Sequence, residues 1–263
     1  MSSYDELLPI AHEAVDIARD MCLTHSPGRL TAKGDRDMAS DLDYAIERKL
    51  AAFLREKTPE IGFLGEEDGG RGAPGELTWT LDPIDGTVNY LYGFPWYAVS
   101  LAVQVDGVSV VGAVVEPASG RRWVAARGLG AQLDGETLRV SSTTRLDLAL
   151  VATGFAYRVE RRRRQAEGVA QLVGKVRDIR RSGAASLDLC AVAAGWLDGY
   201  FEHGLSRWDW AAGALIAEEA GAAVRLPGET DTDGLGADLL MAASPGVVAE
   251  LTAALIECGL GKI

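Results

Sequence analysis

Cysteine and histidine are scarce in this sequence, and neither is arranged as a ligand set. Its 263 residues hold three cysteines, Cys22, Cys190 and Cys258, and three histidines, His12, His25 and His203. Odd in number and widely spaced, the cysteines exclude a disulfide framework and a thiolate zinc site. Buried apolar thiols are expected instead. The histidines share no metal-ligand spacing. Basic charge is also short: 26 Lys and Arg stand against 38 Asp and Glu, a formal net charge of −12. Phosphate backbones need a basic face, so DNA and RNA are not expected as ligands. A small anion remains compatible if a cation intervenes. Apolar stretches such as LCAVAAGWL fall far short of a membrane span, so no membrane association is expected. MSSYDELLPI lacks a basic segment followed by an apolar core; no signal peptide is read, and a reducing cytoplasm is the expected location.

What is present fits a globular chain, with 48% hydrophobic and 24% charged residues. DELLPIAHEAVDIARDMCL and SDLDYAIERKLAAFLREKTP carry helical periodicity, broken between them by THSPGRL. Ser40 or Asp41 is the expected N-cap of the second helix. Strands are expected at IGFLGEE and LTWTLDP. YAVSLAVQVDGVSVVGAVVEP reads as a hairpin turning at Asp106-Gly107, with more strands after it. From LALVATGF onward, strand and helix alternate. The expected fold is α+β, with an N-terminal α+β half (1–145) carrying an antiparallel sheet and a C-terminal α/β half (146–263). The run Arg161 to Arg164 reads as a solvated helix face.

Carboxylates recur at strand ends and helix starts: Asp41 in MASDLD, Glu66 and Glu67 in GEE, Asp82 and Asp85 in LDPIDGT, and Asp209 in RWDWAAG. Singly, each is a turn or cap residue. Together in space they would be untenable without cations, since two carboxylates ~4 Å apart repel by ~4 kcal/mol at an effective dielectric of 20. An all-oxygen set suits Mg²⁺, Mn²⁺ or Ca²⁺. Free N–H groups where Gly86 and Thr87 open TVNYLYG suit a phosphate.

LDPIDGTVNYLYGFP, WDWAAGALIAEEAG, Gly65-Glu66-Glu67, the Lys33 to Asp41 segment and RRSGAASLDLCAVAAGWLDGYFE stand in the order found in the inositol monophosphatase family, and the chain resembles that family over nearly its whole length. The resemblance implies a layered α/β/α/β/α sugar-phosphatase sandwich. It implies a phosphomonoesterase acting on a small phosphorylated substrate, inositol monophosphate first, with two to three Mg²⁺ per site, Mn²⁺ as a substitute, inhibition by Li⁺, and a homodimer. Histidinol phosphate, fructose 1,6-bisphosphate and sugar or nucleotide phosphates are alternative substrates, and a non-catalytic binding role is the remaining alternative.

The resemblance also implies roles. Glu66, Asp82 and the Ile84 carbonyl would hold one Mg²⁺; Asp82, Asp85 and Asp209 a second; Glu67 with Glu66 a weaker third. Asp41 would pair with Thr87 to deprotonate the attacking water, so Asp41, Glu66 and Thr87 would carry catalysis. Ile84, Asp85, Asp209 and the Gly86 and Thr87 amides would border the phosphate, and Gly183, Ala184, Ala185 and Glu202 the alcohol. Ala184 and Ser206 depart from the family's usual residues, which puts the identity of the alcohol in question rather than the metal set.

Overall fold

The computed structural model describes residues 4–34, 38–71, 75–228 and 234–263; residues 35–37 of the Lys33 to Asp41 segment fall outside it. Helix α1 (Leu8–Thr24) leads to the paired strands β1 (Leu30–Ala32) and β2 (Met38–Ser40), then α2 (Asp41–Lys57). Strands β3 (Gly62–Gly65), β4 (Gly70–Arg71) and β5 (Leu77–Asp85) precede the short α3 (Thr87–Leu91). A meander follows: β6 (Ala98–Val105), β7 (Val108–Val115), β8 (Arg122–Ala126), β9 (Ala131–Leu133) and β10 (Glu136–Thr137). Next come β11 (Leu150–Thr153), α4 (Val159–Leu172), β12 (Asp178–Arg180), α5 (Ala185–Ala193), β13 (Gly199–His203) and α6 (Arg207–Glu219). The chain closes with β14 (Ala223–Arg225), β15 (Leu239–Ala243) and α7 (Val248–Glu257).

Two main sheets result. The first has the order β10-β9-β8-β7-β6-β5-β3-β4 and is antiparallel except where β3 runs parallel to β5. The second has the order β12-β11-β13-β15-β14. There β11 runs parallel to both neighbours, but β15 is antiparallel to β13 and β14. The alternation of strand and helix in the second half therefore builds a mixed sheet. The reason is the last connection: β14 and β15 follow one another with no helix between them among the described residues, and β15 returns antiparallel.

Apolar faces stack these sheets into five layers. α1 and α2 bury Ala11, Val15, Ile46 and Leu50 against Trp79, Leu101 and Val111 of the first sheet. α5 and α6 lie between the sheets and are apolar nearly all round, as a doubly covered helix must be. Their small residues permit close approach: a side chain on Gly112 of β7 would meet the Ala212 carbonyl of α6 at 2.9 Å. α4 and α7 close the outer face through Leu172, Leu251 and Leu255 on Val151, Phe201 and Met241. Among the described residues, no helix is long and apolar enough to cross a membrane.

LDPIDGT is not a turn. It is the end of β5, and its register against β6 slips between Asp82 and Asp85. Asp82 faces Ser100 and Asp85 faces Ala98, so β5 spends one extra residue there, a bulge. Pro83 explains it, because proline has no N–H for the ladder. The bulge re-aims both aspartates before the chain turns at Gly86.

Candidate active site

Four chain segments meet in one cleft of about 1010 Å³. The end of β3 brings Glu66 and Glu67, and the bulged end of β5 brings Asp82, Ile84 and Asp85. The start of α6 brings Asp209, and β13 brings Glu202; all of these line the cleft. Oxygens of Glu66, Asp82 and Asp209 lie within 4.8 Å of one another. Asp82 is 2% exposed. Burial, followed by the charges of Glu66, Asp85 and Asp209, holds its carboxyl well above the usual carboxylate range. Asp209 is raised in the same way, by burial first and then by Asp85 and Glu66. Glu67 is pushed up to about 7 by burial, opposed by its bond from Lys33 Nζ at 2.6 Å. Lys33 also reaches Glu66 at 2.8 Å. One ammonium cannot balance this many carboxylates, and an all-oxygen donor set with a buried, unpartnered Glu67 oxygen fits hard divalent cations.

Asp85 stands apart from the converging three. Its Oδ1 accepts from the Ala185 amide at 3.1 Å, and its Oδ2 from the Ser186 amide at 2.7 Å and the Ser186 hydroxyl at 2.5 Å. It thus caps α5 from another strand, supplying what the N-cap residue Ala184 cannot. Burial still pushes it up to about 7 against those bonds. As a cation ligand it must use a remaining lone pair or give up one of these bonds.

The structure corrects the partner of Thr87. The Thr87 hydroxyl donates to the Ile84 carbonyl at 2.9 Å and lies 3.4 Å from Oδ1 of Asp43, not Asp41. Asp41 is exposed and its Oδ2 accepts the Arg29 amide at 2.9 Å. The cause is the capping geometry of α2. Ser40 is the N-cap, so Asp41 is its first helical residue and points outward, while Asp43 at the third folds back to accept the Ser40 amide at 2.9 Å. Burial raises the Asp43 carboxyl, and the Ser40 bonds oppose that rise. The same box recurs at α6, where the Ser206 amide donates to Asp209 at 2.6 Å. The motif Ser-x-x-Asp was readable at both places.

On the opposite wall, Gly183, Ala185, Glu202 and Ser206 line the cleft as expected. Ala184 does not. It is 1% exposed and packs under Gly86, which has φ +86° and would place a side chain 3.2 Å from both the Ala184 Cβ and the Gly183 carbonyl. Only glycine meets both demands. The Tyr200 hydroxyl donates to Glu202 at 2.7 Å. Gly154 leaves the space that the Glu202 carboxylate fills, since a Cβ there would fall within 2.0 Å of it. Sequence reasoning missed Asp43 and the cleft residues Phe155, Tyr157, Arg158 and Trp208; of the four cleft residues only Trp208, which opens WDWAAG, lies in a motif the sequence offered. The arginine run on α4 is not simply a solvated face: Arg163 and Arg164 are exposed, but Arg161 and Arg162 are half-buried and line the cleft. The helical period explains the split: residues 158, 161 and 162 share one face, and that face forms the wall.

A family model described as the inositol monophosphatase family matches residues 3–260. The chain belongs to this family. It is accordingly a phosphomonoesterase, with the mixed, layered fold of that group. The inositol-1-monophosphatase of Mycobacterium leprae is 52% identical over 231 residues, 83% of this chain and 78% of the relative. The solved structure titled Mycobacterium tuberculosis SuhB superposes with a TM-score of 0.80 at 42% identity, covering 99% of this chain and 100% of the other. The Nus factor SuhB of Pseudomonas aeruginosa is 41% identical over 198 residues, 73% of each chain.

This inositol monophosphatase relative carries its electrostatic strain in the folded state, which makes stability depend on pH. Asp82, Asp85, Asp209 and Glu67 have folded pKa values raised above their unfolded ones, so the folded form binds more protons in that interval. Stability is then greatest below the unfolded pKa and is lost as pH rises through the folded values. In EDTA, the melting temperature is expected to fall between about pH 5 and 8. Mg²⁺ at about 100 times its dissociation constant should restore ~2.7 kcal/mol at pH 8. Differential scanning calorimetry across pH, with and without Mg²⁺, checks this; a flat EDTA profile contradicts it.

Proposed function

We propose that this enzyme hydrolyses inositol monophosphate. The observation that carries the reading is the convergence of Glu66, Asp82 and Asp209 in one cleft that Thr87, 3.4 Å from the buried Asp43, also lines. Glu66, Glu67, Asp82, Asp85, Asp209 and the Ile84 carbonyl supply ligands for two to three Mg²⁺, with Mn²⁺ as a substitute and Li⁺ competing at the weakest position. Such cations supply Lewis-acid polarisation of the ester and lower the pKa of a water. The chain does the rest. Thr87 Oγ1 passes its proton to Asp43 Oδ1 while accepting one from the attacking water, because an unaided hydroxyl is too weak a base. The Gly86 and Thr87 amides receive the phosphate oxygens. Gly183, Ala185, Glu202 and Ser206 meet the hydroxyls of the alcohol. The enzyme acts as a homodimer in a reducing compartment, a setting supported by three free, buried cysteines.

Phosphate release from inositol 1-phosphate, measured with and without Mg²⁺ beside histidinol phosphate, sugar phosphates and nucleotide esters, tests the reading. Turnover that requires Mg²⁺ and favours inositol 1-phosphate is expected. A higher kcat/KM for another ester would reassign the substrate while leaving the chemistry. A second reading, a binding role in transcription, draws support from the relative named Nus factor SuhB. An association with RNA polymerase that survives Asp82→Asn, in a protein without turnover of any ester, would favour it.

A further inference from the structure

Each backbone amide from Gly65 to Asp68, the segment that carries Glu66 and Glu67, has a partner, and two of the four go to one side chain. The Gly65 amide donates to the Gly69 carbonyl at 3.1 Å, and the Glu66 amide to the Leu81 carbonyl at 3.2 Å. The next two donate to Glu47 of α2. The Glu67 amide reaches its Oε2 at 2.8 Å, and the Asp68 amide its Oε1 at 2.7 Å. A carboxylate only accepts, and its two oxygens suit the concavity that successive amides form. Gly65 makes room for it: a Cβ there would collide with the Glu47 carboxylate.

Glu47 is 1% exposed, and among the described residues no lysine or arginine lies within 4.0 Å of its carboxylate. Its neighbour Arg48 turns outward to Asp68 instead, 3.2 Å away. Burying a carboxylate without a cation is costly, and the nearby charges of Asp68 and Glu66 oppose it further. An apolar side chain would avoid that cost, so a local rule is broken here. What the break secures is the two amides of the ligand-bearing segment. Glu47 also lies one helical turn after Asp43, so both carboxylates leave the same inward face of α2. Asp43 faces Thr87, and Glu47 holds the segment of Glu66 and Glu67. One helix face thus spans the proton relay and the cation ligands.

We infer that Glu47 is a positioning residue for the cation site: by holding the Glu67 and Asp68 amides it fixes the backbone from which Glu66 and Glu67 project, and so sets divalent-cation affinity without touching cation or substrate. The inference rests on the proposed ligand roles of Glu66 and Glu67. It adds to them a residue that the sequence offered only as part of a helix.

The test is the binding of Mn²⁺, titrated calorimetrically into metal-free protein, beside the Mg²⁺ concentration that half-saturates turnover of the ester cleaved best. E47Q keeps the shape but turns an NH2 toward one of the two amides, which displaces the segment. Its Kd for Mn²⁺ and its half-saturating Mg²⁺ should both rise about 10- to 100-fold, and saturating Mg²⁺ should recover most of kcat. G65A, which pushes the carboxylate off the amides and leaves Glu47 itself intact, should move both in the same direction. R48Q breaks only the exposed pair to Asp68 and should leave both within about twofold of the wild type. Calorimetric melting in EDTA shows which variants fold. Unchanged Mn²⁺ affinity in E47Q or G65A, once folded, overturns the inference, as does an equal shift in R48Q. If E47Q does not fold, E47D, which keeps the charge on a side chain one methylene shorter, takes its place. Failure of E47Q, E47D and G65A alike to fold assigns Glu47 to the fold alone and also overturns it. A wild type that binds no divalent cation would instead remove the cation assignment, and the positioning role with it.

Discussion

Replacing Asp82 by Asn is expected to lower kcat/KM for inositol 1-phosphate by on the order of 10³-fold or more, with no loss of folded protein. Asp82 is the most buried of the three converging carboxylates and feels the charges of Glu66, Asp85 and Asp209. An amide keeps its shape and can still accept the Ile84 N–H, now 3.0 Å from Oδ1. It loses the charge that a divalent cation requires. The change therefore separates function from folding. In EDTA, Asp82→Asn should melt at or above the wild-type temperature, because one buried like charge has gone. In Mg²⁺ the order should reverse, since the wild type alone gains binding energy. Steady-state kinetics and calorimetry on the same preparations check both halves. Near-normal turnover in the variant would contradict the metal assignment.

Asp43→Asn should lower kcat by about 10²- to 10⁴-fold, the range for loss of a positioned general base. Asp41→Asn should change it by less than about threefold, as for an exposed side chain remote from the reacting groups. The two residues lie two positions apart and differ by where the helix starts. An Asn at position 43 can still accept from Ser40, so the helix N-terminus is largely kept. It cannot take the proton that Thr87 passes on. Thr87→Val should give a loss of similar size, and Asp43→Asn/Thr87→Val a loss no larger than either alone, because the two act as one relay. Burial raises the Asp43 carboxyl, so the acid limb of the kcat profile should sit above the range of an ordinary aspartate and disappear in Asp43→Asn. A large loss in Asp41→Asn with a small one in Asp43→Asn would overturn the assignment.

Much of the site was legible because its residues sit in short contiguous strings. Glu66 and Glu67 follow a strand, Asp82, Ile84 and Asp85 fall within four residues, and Asp209 opens a helix. Composition excluded thiolate and imidazole metal sites, which left oxygen donors and hard cations. The resemblance then ordered these strings. What it could not fix was register at a helix start. Asp41 and Asp43 are both acidic, both near the N-terminus of α2, and only the capping bond from Ser40 decides which one turns inward. The resemblance placed Ala184 on the cleft, yet the packing of Gly86 against it turns that position into floor.

By itself, the sequence determined the α+β pattern and the oxygen-rich donor set, which helical period, strand period and recurring carboxylates write locally, while the resemblance of its motifs implied the family and with it the five-layer architecture. Tertiary structure alone decided three things. It selected Asp43 over Asp41, bound Asp85 to the amides of α5, and split the arginine run between a cleft wall and an exposed face. The first joins a local capping bond from Ser40 to a contact with Thr87, while the other two depend on segments distant in the chain or on which side of a helix faces them. Such choices are made by packing and burial, whose partners no stretch of neighbouring residues contains.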